Sequence, residues 1–327
     1  MRLSDLAALA GVSTATVSRA LSGHSSVNKD TQSRIRDLAE KHGVRPNQLA
    51  RNLRLKNTGA IGLVMPLGHA RTQHLTDPFF LSLLGFLADL LVDEGYDILL
   101  TRVLPDDTDW LDGLIAAGRT DGLLIIGQSD QFEVIERAAE RYKPLVVWGV
   151  HREGQIHATV GSDNILGGLI AGEQLIARGR KRLLFVGDPA PPEFADRVEG
   201  FRQAASAAGL AIDVLPTAMD PVSAHTAIKA YLAANSRPDG IFTGSDVVAM
   251  SVLRGCQEAG IRIPDDASVV GYDDVTLAAQ TSPPLSTIRQ DLETGARAMV
   301  DLLIKRIAGE PTDSVLLPPV YVQRYSL

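Results

Sequence analysis

Gly11-Val12-Ser13-Thr14-Ala15-Thr16-Val17-Ser18-Arg19-Ala20-Leu21-Ser22, with Leu3–Ala10 before it, is the stretch on which the reading of the chain turns. Ser4 is placed to cap a first helix over Asp5–Ala10, with Asp5 favourable in its first turn. Gly11 can end that helix in a left-handed conformation, and Ser13 can cap the next after only Gly11-Val12. In the second helix Val17 and Leu21 share one face, turned toward Leu6 and Val12. Ala15, Ser18, Arg19 and Ser22 fall on the opposite face. They are small or hydrogen-bonding side chains with one long guanidinium among them, able to approach base edges. A third helix is expected from a cap near Asn28 to Gly43, with Ile35 and Leu38 inward. Two short helices joined through a glycine turn form a helix-turn-helix, whose second helix enters the major groove of DNA.

Working outward, charge agrees with that reading. Residues 1–57 hold ten Lys or Arg and four Asp or Glu, a surplus of +6, although the whole 327-residue chain carries −7. A basic head on an acidic body orients the head toward a polyanion. After the third helix comes Arg45-Pro46-Asn47-Gln48-Leu49-Ala50-Arg51-Asn52-Leu53-Arg54. Pro46 suits a helix start, but eight residues are too few to hold a helix alone in water. The segment is either an ordinary linker or a short helix that folds against DNA. In the second case leucine is the wedge between base steps and arginine sits beside it.

Taken together, residues 3–57 resemble the DNA-binding head of the LacI/GalR family of bacterial regulators. The string that carries the resemblance is Leu6-Ala7, Ala10-Gly11-Val12-Ser13, Thr16-Val17-Ser18-Arg19-Ala20-Leu21, Val27, Pro46-Asn47, Ala50-Arg51 and Leu53. The resemblance implies DNA contacts from Ser13, Thr14, Ala15, Thr16, Ser18, Arg19 and Ser22. Ala15 and Arg19 would read the major groove. It implies further contacts from Asn47, Leu53 and Arg54, with Leu53 inserted into the minor groove of a kinked central step. A homodimer on a pseudo-palindromic double-stranded operator follows, since each head reads one half-site. Ala15 stands where many relatives carry a larger polar residue, which removes one hydrogen-bond contact.

From Ala60 onward short apolar runs alternate with helical stretches. The runs are Ile61–Met65, Asp97–Thr101, Gly122–Ile126, Leu145–Val150, Arg182–Val186, Gly240–Thr243 and Ser268–Tyr272. The helices between them are Phe79–Glu94, Phe132–Tyr142, Asn164–Arg178, Glu193–Ala208 and Val247–Ala259. That alternation predicts βαβ units and parallel sheets. The expected fold class is an all-α helix-turn-helix head followed by an α/β body of two doubly wound parallel sheets. The body is similar to the two-lobed periplasmic-binding-protein architecture of the same family. Expected domains are 1–45 for the head, 46–58 for the hinge and linker, and 59–327 for effector binding and dimerisation. Lobe one would take about 59–160 plus 289–315, and lobe two about 161–288 plus the C-terminus. Effectors in such folds bind between the lobes, at the carboxyl ends of the strands.

Candidate effector-binding residues fall at those ends. Asp77 precedes Pro78-Phe79-Phe80 and is either a helix cap or a ligand contact; Phe79 belongs to the same cluster. Trp148 ends a strand and is either core packing or an aromatic platform for a sugar face, the strand-end position favouring the platform. Gly149 beside it stands where sugar-binding relatives carry an acid. Arg197 lies in an Arg-x-x-Gly motif and presents a fork for two ligand oxygens. Ser245 and Asp246 end a strand and open a helix, again cap or contact. Asp273, in Gly271-Tyr272-Asp273-Asp274, is the expected ligand acceptor, and it can also pair with Arg197. With little positive charge at these ends, a neutral sugar is favoured over a phosphorylated metabolite; control by a partner protein stays open.

No catalytic residue, metal or cofactor is expected. None of His24, His42, His69, His74, His151, His157 and His225 has metal-ligand spacing, and phosphate-loop and hydrolase motifs are absent. A solute-binding protein or an enzyme with a regulatory head is the remote alternative. One cysteine and no long apolar segment lead to the expectation of a cytoplasmic protein without membrane contact.

Overall fold

The computed structural model describes residues 1, 3–21, 26–44, 57–66, 75–103, 108–128, 130–234 and 237–327. The chain divides into two compact units, Met1–Thr58 and Gly59–Leu327.

Among its described residues the first unit holds three helices, α1 (Leu3–Ala10), α2 (Thr14–Leu21) and α3 (Lys29–Lys41). Helix α1 begins before the expected Asp5, so Ser4 lies inside its first turn and does not cap it. The reason is Leu3, whose side chain packs on the small core and draws the turn into the helix. Gly11 takes a left-handed φ of 64°. Its N–H bonds Ala8 O, and Val12 N–H reaches back to Ala7 O, so orphan carbonyls of α1 are satisfied by a Schellman turn. Ser13 Oγ accepts from Thr16 N at 3.1 Å and caps α2. Asn28 caps α3 by accepting from Asp30 N at 2.8 Å. Leu6, Val17, Ala20 and Ile35 are fully buried between the three helices. Three short helices, each marginal alone, therefore hold one another through a shared apolar contact.

The second unit is built on two six-stranded sheets. The first contains β1 (Ala60–Pro66), β2 (Asp97–Val103), β3 (Gly122–Ile126), β4 (Leu145–Trp148), β5 (Ala158–Ser162) and, from far along the chain, β11 (Val315–Leu317). Their order is β11-β5-β4-β3-β1-β2, every pair parallel. The second contains β6 (Leu183–Val186), β7 (Ile212–Leu215), β8 (Gly240–Thr243), β9 (Ser268–Asp273), β10 (Ser286–Arg289) and β12 (Val320–Val322). Its order is β12-β10-β9-β8-β6-β7, with β12 alone antiparallel. Both sheets start from a central strand, place the next strand on one side and then reverse. Each therefore has a switch point where its strand ends open a crevice.

Helices α4 (Pro78–Asp93), α5 (Trp110–Ala116), α6 (Phe132–Arg141) and α11 (Leu292–Ile307) cover the first sheet, while α7 (Asn164–Ala177), α8 (Pro192–Ala207), α9 (Pro221–Ala234) and α10 (Asp246–Glu258) cover the second. The chain passes between lobes after β5, between β10 and α11, and between β11 and β12. Strand β4 stops at Trp148 instead of Val150, and just beyond it Gly149 O comes so close to Gly161 that a Cβ on Gly161 would sit 2.3 Å from that oxygen. Each lobe has its own buried cluster on either sheet face, for example Ile61, Leu83 and Met299 in the first and Ile228, Ile241 and Val252 in the second.

Candidate functional site

Two surfaces carry the residues singled out above. On the head, Ser13, Thr14, Ala15 and Arg19 are exposed, Thr16 and Ser18 half-buried, and Val17 and Ala20 buried. One face of α2 is thus committed to the core and the other presents hydroxyls, a methyl and one guanidinium. Ser13 Oγ and Thr16 Oγ1 lie 2.9 Å apart, which fixes both hydroxyls at the start of the helix. Ser22, Asn47, Leu53 and Arg54 lie outside the described residues, as does the hinge segment that holds the last three.

In the second unit a cavity opens where the two sets of strand ends face each other. The space between its lining atoms is ≈ 680 Å³, counting the part open to solvent. Pro66, Ile126 and Trp148 come to it from the ends of β1, β3 and β4, and Ser245, Asp273 and Gln290 from just beyond or at the ends of β8, β9 and β10. Asp77 and Phe79 enter from the start of α4, and Glu193, Phe194 and Arg197 from the first turns of α8.

Arg197 is the best anchored of these. Its Nε donates to Asn164 Oδ1 at 2.9 Å and its Nη1 to Gly244 O. The guanidinium lies 3.6 Å from the Tyr272 ring centroid and 4.7 Å from that of Phe194, between two aromatic faces. Tyr272 Oη donates to the same Asn164 oxygen at 3.1 Å, so one amide positions both side chains. The two helices that carry Asn164 and Arg197 can meet only because of glycine. A Cβ on Gly168 would stand 2.0 Å from Arg197 O, and one on Gly200 1.9 Å from Ile165 O.

Asp273 sits at a left-handed φ of 112°, a strained setting for a residue with a side chain. It accepts from Gln290 Nε2 at 2.7 Å. Burial raises its carboxyl to about 7, against the opposing pull of Arg197 and with help from the charge of Asp77. Arg197 and Asp273 form no ion pair among the described residues; each finds other partners. Asp77 is both a cap and a wall residue, accepting from Phe79 N at 2.9 Å. Ser245 likewise caps α10 through Val248 N and faces the cavity. Trp148 is 4% exposed and joins the first lobe's core, its six-membered ring against Gly295, yet it still borders the cavity. Phe79 meets it edge-on at 6.1 Å.

Asp246 does not line the cavity. It is fully buried and accepts from Thr287 Oγ1 at 2.6 Å and Val275 N at 2.9 Å, tying α10 to β10 and to the loop after β9. Burial and the neighbouring Asp273 push its carboxyl well above the usual range. Gly149 leaves no room for an acid, since a Cβ would meet the Gln128 side chain at 2.6 Å. Glu193 and Phe194 escape a reading limited to strand ends, and Gln290 follows β10, a strand the apolar runs do not reveal. Glu193 stands four residues before Arg197 on the same helix, a spacing that puts both on one face.

Comparison with known proteins extends these observations to the whole chain. Residues 2–47 match the family described as bacterial regulatory proteins, lacI family, and residues 173–327 match the periplasmic binding protein-like domain. The HTH-type transcriptional regulator CelR of Thermobifida fusca is 30% identical over 327 residues, covering 96% of this chain and 94% of its own. The HTH-type transcriptional repressor PurR of Edwardsiella ictaluri (strain 93-146) is 30% identical over 338 residues, covering 99% and 96%. A solved structure, the complex of transcriptional regulator CelR with cellobiose, superposes with a TM-score of 0.73 at 28% identity, over 100% of this chain and 99% of that one. With its helix-turn-helix head, two-lobed body and full-length relatives, the chain belongs to the LacI family and is a DNA-binding transcriptional regulator.

Proposed function

We propose that this regulator binds a pseudo-palindromic operator as a homodimer, and that a sugar bound between its lobes sets its affinity for DNA. The observation that carries the effector reading is the cavity itself, where aromatic rings, carboxylates and one anchored guanidinium converge from both sheets. Rings offer apolar faces to a pyranose, and the charged groups accept and donate to its hydroxyls. Arg197 is the one Lys or Arg among the described lining residues, which disfavours a phosphorylated metabolite. The CelR–cellobiose structure supports a sugar as the ligand class.

On the head, Ala15 and Arg19 read the major groove, with Ser13, Thr14, Thr16, Ser18 and Ser22 positioning the helix on phosphates and base edges. Asn47, Leu53 and Arg54 engage the minor groove. Leu81 and Phe86 on α4, Val222 on α9 and Leu277 are large apolar side chains left exposed, and a second copy would cover such residues. The two lobes are also joined by Arg152, whose guanidinium donates both Nη groups to Asp196 at 2.9 Å. A ligand that prefers one lobe arrangement therefore biases the spacing of the two hinges, and through it the DNA.

The test begins with selection of operator DNA from a random pool by the full-length chain, followed by anisotropy titration with and without sugars that stabilise it. Leu53→Ala is expected to weaken operator binding and leave sugar affinity intact. Equal operator affinity in that variant overturns the hinge role; operator affinity indifferent to every bound sugar overturns the effector reading.

A further inference from the structure

Glu193 stands in the first turn of α8 at the wall of the cavity. Its Oε1 is buried and accepts no hydrogen bond among the described residues. Among the described residues, the side-chain donors nearby are largely engaged elsewhere, and the carboxyl's backbone donors are the N–H groups of Gln128 and Glu193. Arg197 spends Nε and Nη1 on Asn164 and Gly244, and the Gln128 amide donates to Val150 O and His157 Nε2. Pro191 and Pro192 open the helix and bring no N–H. A carboxylate oxygen taken out of water without a partner is costly, and a fold has no reason of its own to keep one. In a ligand cavity the missing donor is one the ligand brings.

We propose that Glu193 determines the specificity of this cavity by accepting a hydrogen bond from a donor group of the effector, a hydroxyl or an ammonium, and by excluding anionic ligands. The inference rests on the reading of the cavity as the effector site. Asp77 and Asp273 share the wall with Glu193, so among the described lining residues three carboxylates face one guanidinium. A phosphate placed there adds negative charge to a crowded acidic site, whereas a sugar hydroxyl or amine satisfies it. Burial holds the Glu193 carboxyl above its usual range, more strongly than Arg197 and the backbone N–H groups of Gln128 and Glu193 pull it down. A carboxyl raised in the folded state favours folding at low pH, and that contribution is lost as pH rises through its folded value. The empty cavity is therefore destabilised by an ionised Glu193.

The experiment uses the full-length chain with Glu193→Gln and, as a second variant, Glu193→Met. Without ligand, both are expected to melt about 2–4 °C above the wild-type chain at mildly alkaline pH. The gap should narrow in acid, as the wild-type glutamate takes up its proton. Variants that melt below wild type at both pH values would overturn the proposal, because Glu193 would then be part of the fold's own bonding. Calorimetric titration with glucose, glucosamine and glucose 6-phosphate supplies the second arm. Whichever of the first two binds should lose at least tenfold in affinity in Glu193→Gln; glucosamine alone binding assigns an ammonium, glucose alone a hydroxyl. Tighter binding of glucose 6-phosphate than of glucose by the wild-type chain would refute the exclusion of anions. The ligand-free arm decides even if no sugar of the three binds. Failure of the effector reading looks different: a bound sugar that leaves operator affinity unchanged.

Discussion

Gly200→Ala adds one methyl group where α7 and α8 touch, and its consequence can be worked from the distances. The new Cβ would lie 1.9 Å from Ile165 O and 2.7 Å from Leu169 N, both backbone atoms that cannot rotate away. Reaching the 3.4 Å of an ordinary contact requires the helices to part by about 1.5 Å at that point. Overpacking of this kind costs about 1–3 kcal/mol. At roughly 2–4 °C per kcal/mol, the body should melt several degrees lower. The site feels the same movement, because Asn164 precedes Ile165 and Arg197 precedes Gly200 on the two helices. If half of the displacement reaches the 2.9 Å bond from Arg197 Nε to Asn164 Oδ1, the bond lengthens to about 3.6 Å and ceases to be one. Loss of a charged hydrogen bond that positions the ligand is worth about 1.5–3 kcal/mol, on the order of ten- to a hundredfold in affinity. Scanning calorimetry and sugar titration measure both effects. Gly113→Ala, on an exposed helix position with nothing within 4 Å, is the control and should be neutral or slightly stabilising. A Gly200→Ala chain with wild-type melting and wild-type sugar affinity would refute the close helix contact and its role in placing Arg197.

Three further outcomes follow from the same geometry. Arg19→Ala should weaken operator binding by about 1–3 kcal/mol, relax base preference at one position of each half-site and leave sugar affinity unchanged, as competition titrations with single-base operator variants would show. Asp273→Asn removes a carboxyl raised to about 7, so the wild-type chain should lose stability relative to the variant as pH rises through neutrality; melting curves on either side of pH 7 check the sign, and parallel curves would contradict it. Arg152→Ala breaks the pair between the lobes, and because Arg152 is 44% exposed the cost should stay below about 1 kcal/mol. A double-mutant cycle with Asp196→Ala, read on sugar affinity, measures what that link contributes to closure.

The head is legible in the sequence because its signals are local. Gly11, Ser13, Asn28 and Gly43 act on bonds within a few residues of themselves, and the apolar spacing of Leu6, Val17 and Ile35 marks one core. Only Ser4 is misread, since the pull of Leu3 on the core outweighs a serine's preference for the cap position. In the body, the fully buried runs of β1, β3, β4, β8 and β9 stand out as continuous apolar stretches. Strands such as β5 (Ala158–Ser162), β10 (Ser286–Arg289) and β12 (Val320–Val322) do not, because three to five residues, mixed with Ser, Thr and Arg in β5 and β10, are too short a run to stand out. The cavity shows the same division. Asp77, Trp148, Arg197, Ser245 and Asp273 sit beside strand ends or in short motifs and come together around one cavity, from both lobes. Asp246, next to Ser245, points instead into the sheet, where Thr287 and Val275 hold it. Gln290 is missed because β10 before it is itself hidden, and Glu193 is invisible to a strand-end rule, since what makes it notable is an unmet hydrogen bond that no sequence pattern records.

The most direct measurement of the whole account is operator affinity against sugar concentration, made on the full-length chain and on Arg197→Ala. A sugar which stabilises the wild-type chain is expected to change its operator affinity by at least about fivefold, the lower end of ordinary coupling between two sites. Arg197→Ala is expected to bind the bare operator as the wild-type chain does and to show no such change. Wild-type operator affinity that stays constant while the sugar saturates the cavity would contradict the coupling.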